Sequence, residues 1–309
     1  MFKGVNHVGI GVSDMEKLMK FYADCLGFKE VMFDYSGPLP GMEKITGKPE
    51  TKARVVMLKN QNLGPLGLGM IKLVQLLPPD KPGPIPEGTC WGEIGIAEVC
   101  VHVHGSEEIL NELVQEKGCK RLLPVGFCPL PPYDTEAGFS YISDPDGGKI
   151  ELIEWRGMCP GLGTKPRIEG VNHVAFGVSN LENSLKFYRG LGFTEMIFDF
   201  KGVLEAMNVW FPEPVEQHLV MMANYYGAGI EPVQRFPLSK DLRGSWGHLG
   251  PMEFAVEVTN IEKASEYLQK KGIELLSQPQ TIEVSSGQWK YVYITEPDNL
   301  YVSLIEPRY

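Results

Sequence analysis

Five polar side chains sit inside apolar stretches of this 309-residue chain. His7 lies in VNHVGIGVS and His173 in VNHVAFGVS. Glu98 lies in IAEVCVHV, Glu253 in PMEFAVEV and Glu151 in KIELIEW. Such runs read as strands, and side chains alternate across a strand. Val8, Ile10 and Val12 share one face, so His7 shares the other with Val5, Gly9 and Gly11. Val174, Phe176 and Val178 likewise face away from His173, whose neighbours are Val171, Ala175 and Gly177. Each histidine is therefore expected on a sheet face of small residues, which leave room for something above it. Glu98 and Glu253 take the same slot in later strands, and Glu151 is flanked by Ile150 and Leu152. A carboxylate at the centre of a strand is costly to bury unless it is paired or bound to a metal.

The elements that position these groups come from an internal repeat. GVNHVGIGVSDMEKLMKFYADCLGF from Gly4 matches GVNHVAFGVSNLENSLKFYRGLGF from Gly170. WGEIGIAEVCVHV from Trp91 matches WGHLGPMEFAVEV from Trp246, and DPDGGKIELIE from Asp144 matches EPDNLYVSLIE from Glu296. The copies span 1–156 and 168–309, joined at 157–167 by a Gly/Pro-rich linker. Each copy halves again. After the first strand, Ser13 and Glu16 form a capping box for a helix carrying Leu18, Phe21, Tyr22 and Cys25, and Gly27 ends it. Strands are expected near 28–35, 53–59 and 69–77. The second half repeats this order: Ser106 as cap, a helix from Ile109 to Lys117, then strands near 120–124, 138–143 and 148–155. Ser179 and Thr259 are the matching caps in copy two. The unit is β-α-β-β-β, four times over. LGPLGLG at 63–69 reads as a hairpin loop, 78–86 as a connection between modules, and the proline-punctuated 123–133 as a long loop.

Composition narrows the function. A net charge of −10 disfavours nonspecific nucleic-acid binding, which needs a basic surface. The opening residues carry no apolar signal-peptide core, and no apolar run is long enough to span a membrane. Six cysteines show no CxxC pairing, as expected of reduced thiols in the cytoplasm.

Along nearly its whole length the chain resembles the vicinal oxygen chelate superfamily of glyoxalases, epimerases and extradiol dioxygenases. HVGIGVSDMEKLMKFYADCLGF resembles the family's opening strand and helix. DPDGGKIELIEW resembles its closing strand, where the first Glu of IELIE is the usual metal ligand. The resemblance implies an α+β fold, with tandem βαβββ modules forming two cupped mixed β-sheets flanked by helices. It also implies one divalent metal ion in a cup, drawn from Mn, Fe, Co, Ni and Zn. Carried over residue by residue, copy one offers His7, Gln75, Glu98 and Glu151, a set suited to a borderline or hard ion. Lys72 and Gln75 lie on opposite faces of their strand. Gln75 is favoured because Gln234 stands at the same register in copy two, and a Gln here is similar to the methylmalonyl-CoA epimerases. Copy two offers His173, Gln234, Glu253 and Ser303, with Glu231 as the alternative on its strand. Ser303 is a poor ligand, so copy two is degenerate if each copy forms its own site. If modules pair across copies, His173 and Gln234 join Glu98 and Glu151.

Glu98 and Glu151 belong to the good site either way and are the candidates for moving a proton. The function expected is a metal-dependent lyase or isomerase of glyoxalase type, acting on a small oxygen-chelating substrate. The alternatives are an extradiol ring-cleaving dioxygenase, which needs a second histidine ligand, and a bleomycin-resistance-like binding protein without chemistry. Tyr133, in the long loop, and His218, on a strand of copy two, are candidate substrate contacts. His102, His104 and His248 read as strand-end or solvent-facing residues. A chain carrying both copies supplies its own module partners, so a monomer or a homodimer is expected.

Overall fold

A computed structural model describes residues 1–88, 91–157, 165–211, 213–237 and 240–308. The first module is β1 (Phe2–Gly11), α1 (Met15–Asp24), β2 (Glu30–Pro38), the one-turn α2 (Glu43–Thr46), β3 (Lys52–Lys59) and β4 (Met70–Leu76). The second is β5 (Gly95–His104), α3 (Ser106–Asn111) prolonged by a π-turn over Glu112–Glu116, β6 (Lys120–Pro129), β7 (Glu136–Ser143) and β8 (Lys149–Trp155). The third is β9 (Arg167–Gly177), α4 (Leu181–Gly190), β10 (Glu195–Val203), a 3-10 segment Glu205–Trp210, β11 (Glu216–Ala223) and β12 (Gly229–Phe236). The fourth is β13 (Gly250–Val258), α5 (Ile261–Lys270), β14 (Gln280–Val284), β15 (Gly287–Ile294) and β16 (Tyr301–Arg308).

These strands form two mixed eight-stranded sheets. One runs β14-β15-β16-β13-β1-β4-β3-β2 and the other β10-β11-β12-β9-β5-β8-β7-β6. The first module thus pairs with the fourth, and the second with the third. The seams are the antiparallel pairs β1–β13 and β5–β9. Each cup is therefore built by both copies, and the linker expected at 157–167 lies largely outside the described residues. Cys25, Cys100, Cys119 and Cys128 are free thiols, while Cys90 and Cys159 lie outside the described residues.

The alternation read from the sequence sets the two faces of each strand. Val8, Ile10, Val99, Val101, Val174 and Phe254 enter a core that also takes the apolar sides of the helices. Both sheets contribute to this core, and Phe176 of β9 stacks on Phe254 of β13 with ring centroids 5.4 Å apart. Each such buried ring contributes roughly 1.5–3 kcal/mol by leaving water. The sheets touch where Val5 and Ala228 exchange backbone hydrogen bonds of 2.8 Å. A Cβ on Gly4 there would lie 2.8 Å from the Gly227 backbone, so no larger residue fits without separating the sheets.

Two expectations change. The helix caps move one residue on: Asp14, Asn180 and Asn260 accept from the N–H three residues later. Ser13 instead bonds Asp146, and Ser106 opens α3 behind Gly105. The stretch 123–133 is mostly strand, since β6 reaches Pro129 and pairs with β7. Proline is tolerated there because β6 is a sheet edge, where one face of the backbone needs no ladder partner.

Candidate active site

In the β9–β5 cup, four central strands each send one acidic or imidazole side chain to the same corner. β9 supplies His173, β12 Glu231, β5 Glu98 and β8 Glu151. The register aligns them: Ala175 pairs with both Glu231 and Glu98, and Cys100 pairs with both His173 and Glu151. His173 Nε2 lies 3.3 Å from Glu151 Oε2 and 3.3 Å from Glu231 Oε2. Its Nδ1 meets Asn172 Oδ1 at 2.8 Å, which orients the ring so that Nε2 faces the carboxylates. All four residues are buried, Glu98 and His173 completely.

Three carboxylates packed on one imidazole are electrostatically unbalanced. Neither oxygen of Glu98 receives a hydrogen bond of good geometry, although the Tyr141 hydroxyl is beside it, and Glu151 Oε2 and His173 Nε2 have only the long 3.3 Å contacts of the corner itself. Burial, and then repulsion from Glu151, hold the Glu98 carboxyl well above the usual range. Burial also lifts Glu231, to about 7, with His173 opposing and Glu151 adding to the shift. For His173, burial opposes the charge but Glu231 and Glu151 outweigh it, so its pKa is raised. Buried polar atoms are normally satisfied, so this concentration of unmet acceptors fits a divalent cation, with carboxylate and imidazole donors of the right type. The Cys100 thiol, two residues after Glu98 and so on the same face, joins the corner. Donor atoms of Cys100, Glu151 and His173 lie within 4.8 Å of one another. Tyr141 stands beside Glu98, and its ring packs edge-on against Trp210 of the 3-10 segment at 4.8 Å. Met207 and Phe211 pack into the same side of the sheet, so this segment covers the corner.

Of the expected site residues, Glu98, Glu151 and His173 come together. Gln75 and Gln234 do not join them. Gln234 Oε1 accepts from Leu181 N at 2.8 Å, and Gln75 bonds Met15 N and Ser13 O, so both glutamines tie down helix N-termini. The reason is strand parity: Lys72 and Glu231, three residues earlier, take the cup face, and the glutamines take the helix face. His7 lies in the other cup. His218 points away from the cup, because Leu219 and Met221 take the cup face of β11. It bonds Asp199 at 2.7 Å. Tyr133 is 45% exposed in the turn between β6 and β7. His102 is buried rather than solvent-facing, with Nδ1 on Glu169 at 2.9 Å, and His104 and Arg167 share that carboxylate. Cys100 and Glu231, the first unmarked by any expected ligand slot and the second only the alternative on its strand, complete the corner. Cys100's place two residues after Glu98 was the available signal for the first, and the match of Glu231 to Lys72 for the second.

The β1–β13 cup has the same four positions with different chemistry. His7, Lys72, Glu253 and Ser303 stand where His173, Glu231, Glu98 and Glu151 stand in the first. Lys72 Nζ forms an ion pair with Glu253, which also accepts from Trp246 Nε1 at 2.8 Å and from the Tyr293 hydroxyl. Gly9 allows this, since a Cβ there would lie 2.3 Å from the Glu253 side chain. An ammonium thus occupies the cation's place, and Ser303 contributes no charge. The donor set of this corner does not fit a divalent metal.

The family model of the Glyoxalase/Bleomycin resistance protein/Dioxygenase superfamily matches residues 4–63 and 170–304, and the chain belongs to that superfamily. A probable chloroplastic lactoylglutathione lyase of Arabidopsis thaliana is 31% identical over 185 residues, 59% of this chain. The match spans 42% of that relative's length. Among solved structures, glyoxalase I from Zea mays superposes with a TM-score of 0.62 at 18% identity, over 98% of this chain and 92% of its own. A putative dioxygenase from Bacillus subtilis superposes with a TM-score of 0.60 at 11% identity, over 99% and 85%. These likenesses carry the fold: tandem βαβββ modules in two cupped sheets. No helix among the described residues is long and apolar enough to cross a membrane.

Proposed function

We propose that the β9–β5 cup is the single active site of a glyoxalase-type lyase or isomerase, holding one divalent ion on His173, Glu231, Glu98 and Glu151. The observation that carries this reading is the corner of three buried carboxylates converging on one imidazole, with both Glu98 oxygens lacking a geometric hydrogen bond. When bound, such an ion supplies Lewis acidity to a carbonyl oxygen of the substrate. The chain's own residues do the rest. Burial and the neighbouring Glu151 hold the Glu98 carboxyl well above the usual carboxylate range, which lets Glu98 take up and return a proton at the substrate. That suits proton transfer between adjacent carbons of a small oxygen-chelating substrate. Asn172 fixes the His173 ring through Nδ1. Trp210, Met207 and Phe211 exclude water from the corner, so the 3-10 segment over Glu205–Trp210 must shift for substrate to enter. The lyase name of the Arabidopsis relative points to α-hydroxy thioesters of glutathione and their hemithioacetal isomers as the first substrates to try. A ring-cleaving dioxygenase fits less well, because Glu98 stands where its second histidine ligand would be. Both halves of each sheet lie in one chain, which supports a monomer as the working unit.

The test follows isomerisation of hemithioacetals of glutathione with 2-oxoaldehydes by NMR in D2O, with Mn, Fe, Co, Ni or Zn supplied in turn. Turnover that falls about 10²–10⁴-fold in Glu98→Gln and Glu151→Gln, and holds in His7→Leu, supports the assignment. Turnover indifferent to both glutamate variants overturns it.

A further inference from the structure

The β1–β13 cup retains a pocket although its corner does not suit a metal. About 510 Å3 of empty space, counted out to its mouth, lies above the corner. Apolar walls around a few polar groups are the make-up of small-molecule sites. Phe33, Trp246, Trp289, Tyr291 and Tyr293 share its wall with aliphatic side chains, and His7, Lys72 and Ser303 form its polar floor. The histidine is the informative member. Asn6 Nδ2 donates to Glu257 at 2.7 Å, which turns its carbonyl oxygen onto His7 Nδ1 at 2.9 Å. The Nδ1 nitrogen therefore carries the proton, and Nε2 presents a lone pair. Nε2 has no partner, in a residue 1% exposed that lines the pocket. An unmet acceptor in a dry site calls for a donor from outside.

From this geometry we infer that the second cup is a metal-independent binding site for a neutral hydroxyaromatic molecule, its ring held between the aromatic walls and its hydroxyl donating to His7 Nε2. Charge supports the choice. Lys72 and Glu253 cancel, so the floor has no net charge to attract an ion of either sign. A phenol is a stronger hydrogen-bond donor than an aliphatic alcohol, which suits the His7 Nε2 acceptor. Flat walls of Trp and Tyr favour an aromatic ring over an aliphatic chain, because offset and edge-on ring contacts add to simple burial. The inference is independent of the activity proposed for the first cup.

The experiment compares p-cresol with toluene by isothermal titration calorimetry on the full chain, with and without added divalent metal. The hydroxyl is expected to give p-cresol about a tenfold advantage, the effect of one satisfied hydrogen bond. The advantage should vanish in His7→Leu, and both ligands should be lost in Val55→Phe, which fills the pocket. Glu151→Ala, in the other cup, should bind p-cresol like the parent, as should metal-loaded protein. Folding of each variant is verified by circular dichroism. No saturable p-cresol binding, equal affinity for toluene, an advantage that survives in His7→Leu, or binding lost in Glu151→Ala would each overturn the inference.

Discussion

Replacing Lys72 with methionine removes the cation that balances Glu253 in the second cup. Glu253 is 0% exposed and the Lys72 side chain only 14%, so water cannot replace the lost partner. Removing one member of a buried ion pair costs about 3–5 kcal/mol, because the survivor's charge is stranded. Glu253 keeps the Trp246 N–H and the Tyr293 hydroxyl, two donors that soften the loss. The lower end, about 3 kcal/mol, is therefore expected, or a fall in melting temperature of roughly 6–12 °C. The assay is equilibrium urea unfolding and a thermal melt of the parent, Lys72→Met, Glu253→Gln and the double variant. A neutral amide in place of the carboxylate removes the stranded charge, so the double variant should recover at least half of the loss, giving a coupling of about 1.5 kcal/mol or more. A Lys72→Met loss below about 1 kcal/mol, or a double variant as weak as the sum of the singles, would refute the ion-pair account.

Gln234→Ala should cost about 1 kcal/mol by freeing the Leu181 N–H at the start of α4, yet leave metal affinity unchanged; chemical unfolding and metal titration together check this. His218→Ala and Tyr133→Ala should alter turnover of the metal-loaded protein by less than about twofold, as expected of residues outside the cup, and steady-state kinetics decide it. Asp144 is raised to about 6, by burial first, against backbone donors at Gly148 and Asp146 and the Tyr22 hydroxyl. The folded chain thus binds this proton more tightly than the unfolded chain does. Stability from Asp144 is full below the unfolded value near 4 and is lost as pH rises to about 6. Asp144→Asn cannot lose a proton, so its stability relative to the parent should climb from pH 4 to pH 6 and then level, a trend that urea unfolding across that range would reveal.

The repeat, the strands and the face carrying His7 and His173 are legible in the sequence, because alternation is a local property. The choice of partner module is not. β1 and β9 carry nearly the same residues, and so do the segments around Glu98 and Glu253, so either pairing buries the same apolar faces. Only the complete set of edge contacts decides, and it placed His7 with Glu253 and His173 with Glu98. The fourth-strand ligand misled for a related reason. Lys72 and Gln75 are both polar in apolar strands, and their faces follow from the pairing of Gly9 with Lys72, which is a long-range fact. Gln75 and Gln234 recur at one register because both serve a helix start, a structural need that copies share. The caps slipped by one because Ser13 and Asp14 are both good cap residues, and the choice rests on Asp146, which claims Ser13 from another module.

The central claim is one metal site, made by residues of both copies in one cup. Elemental analysis of the reconstituted chain tests it most directly, run beside Glu231→Ala, His7→Leu and Gln234→Ala. One ion per chain, lost in Glu231→Ala and kept in the other two, is the predicted result. Two ions per chain, or an ion that survives Glu231→Ala and disappears with His7 or Gln234, would contradict it.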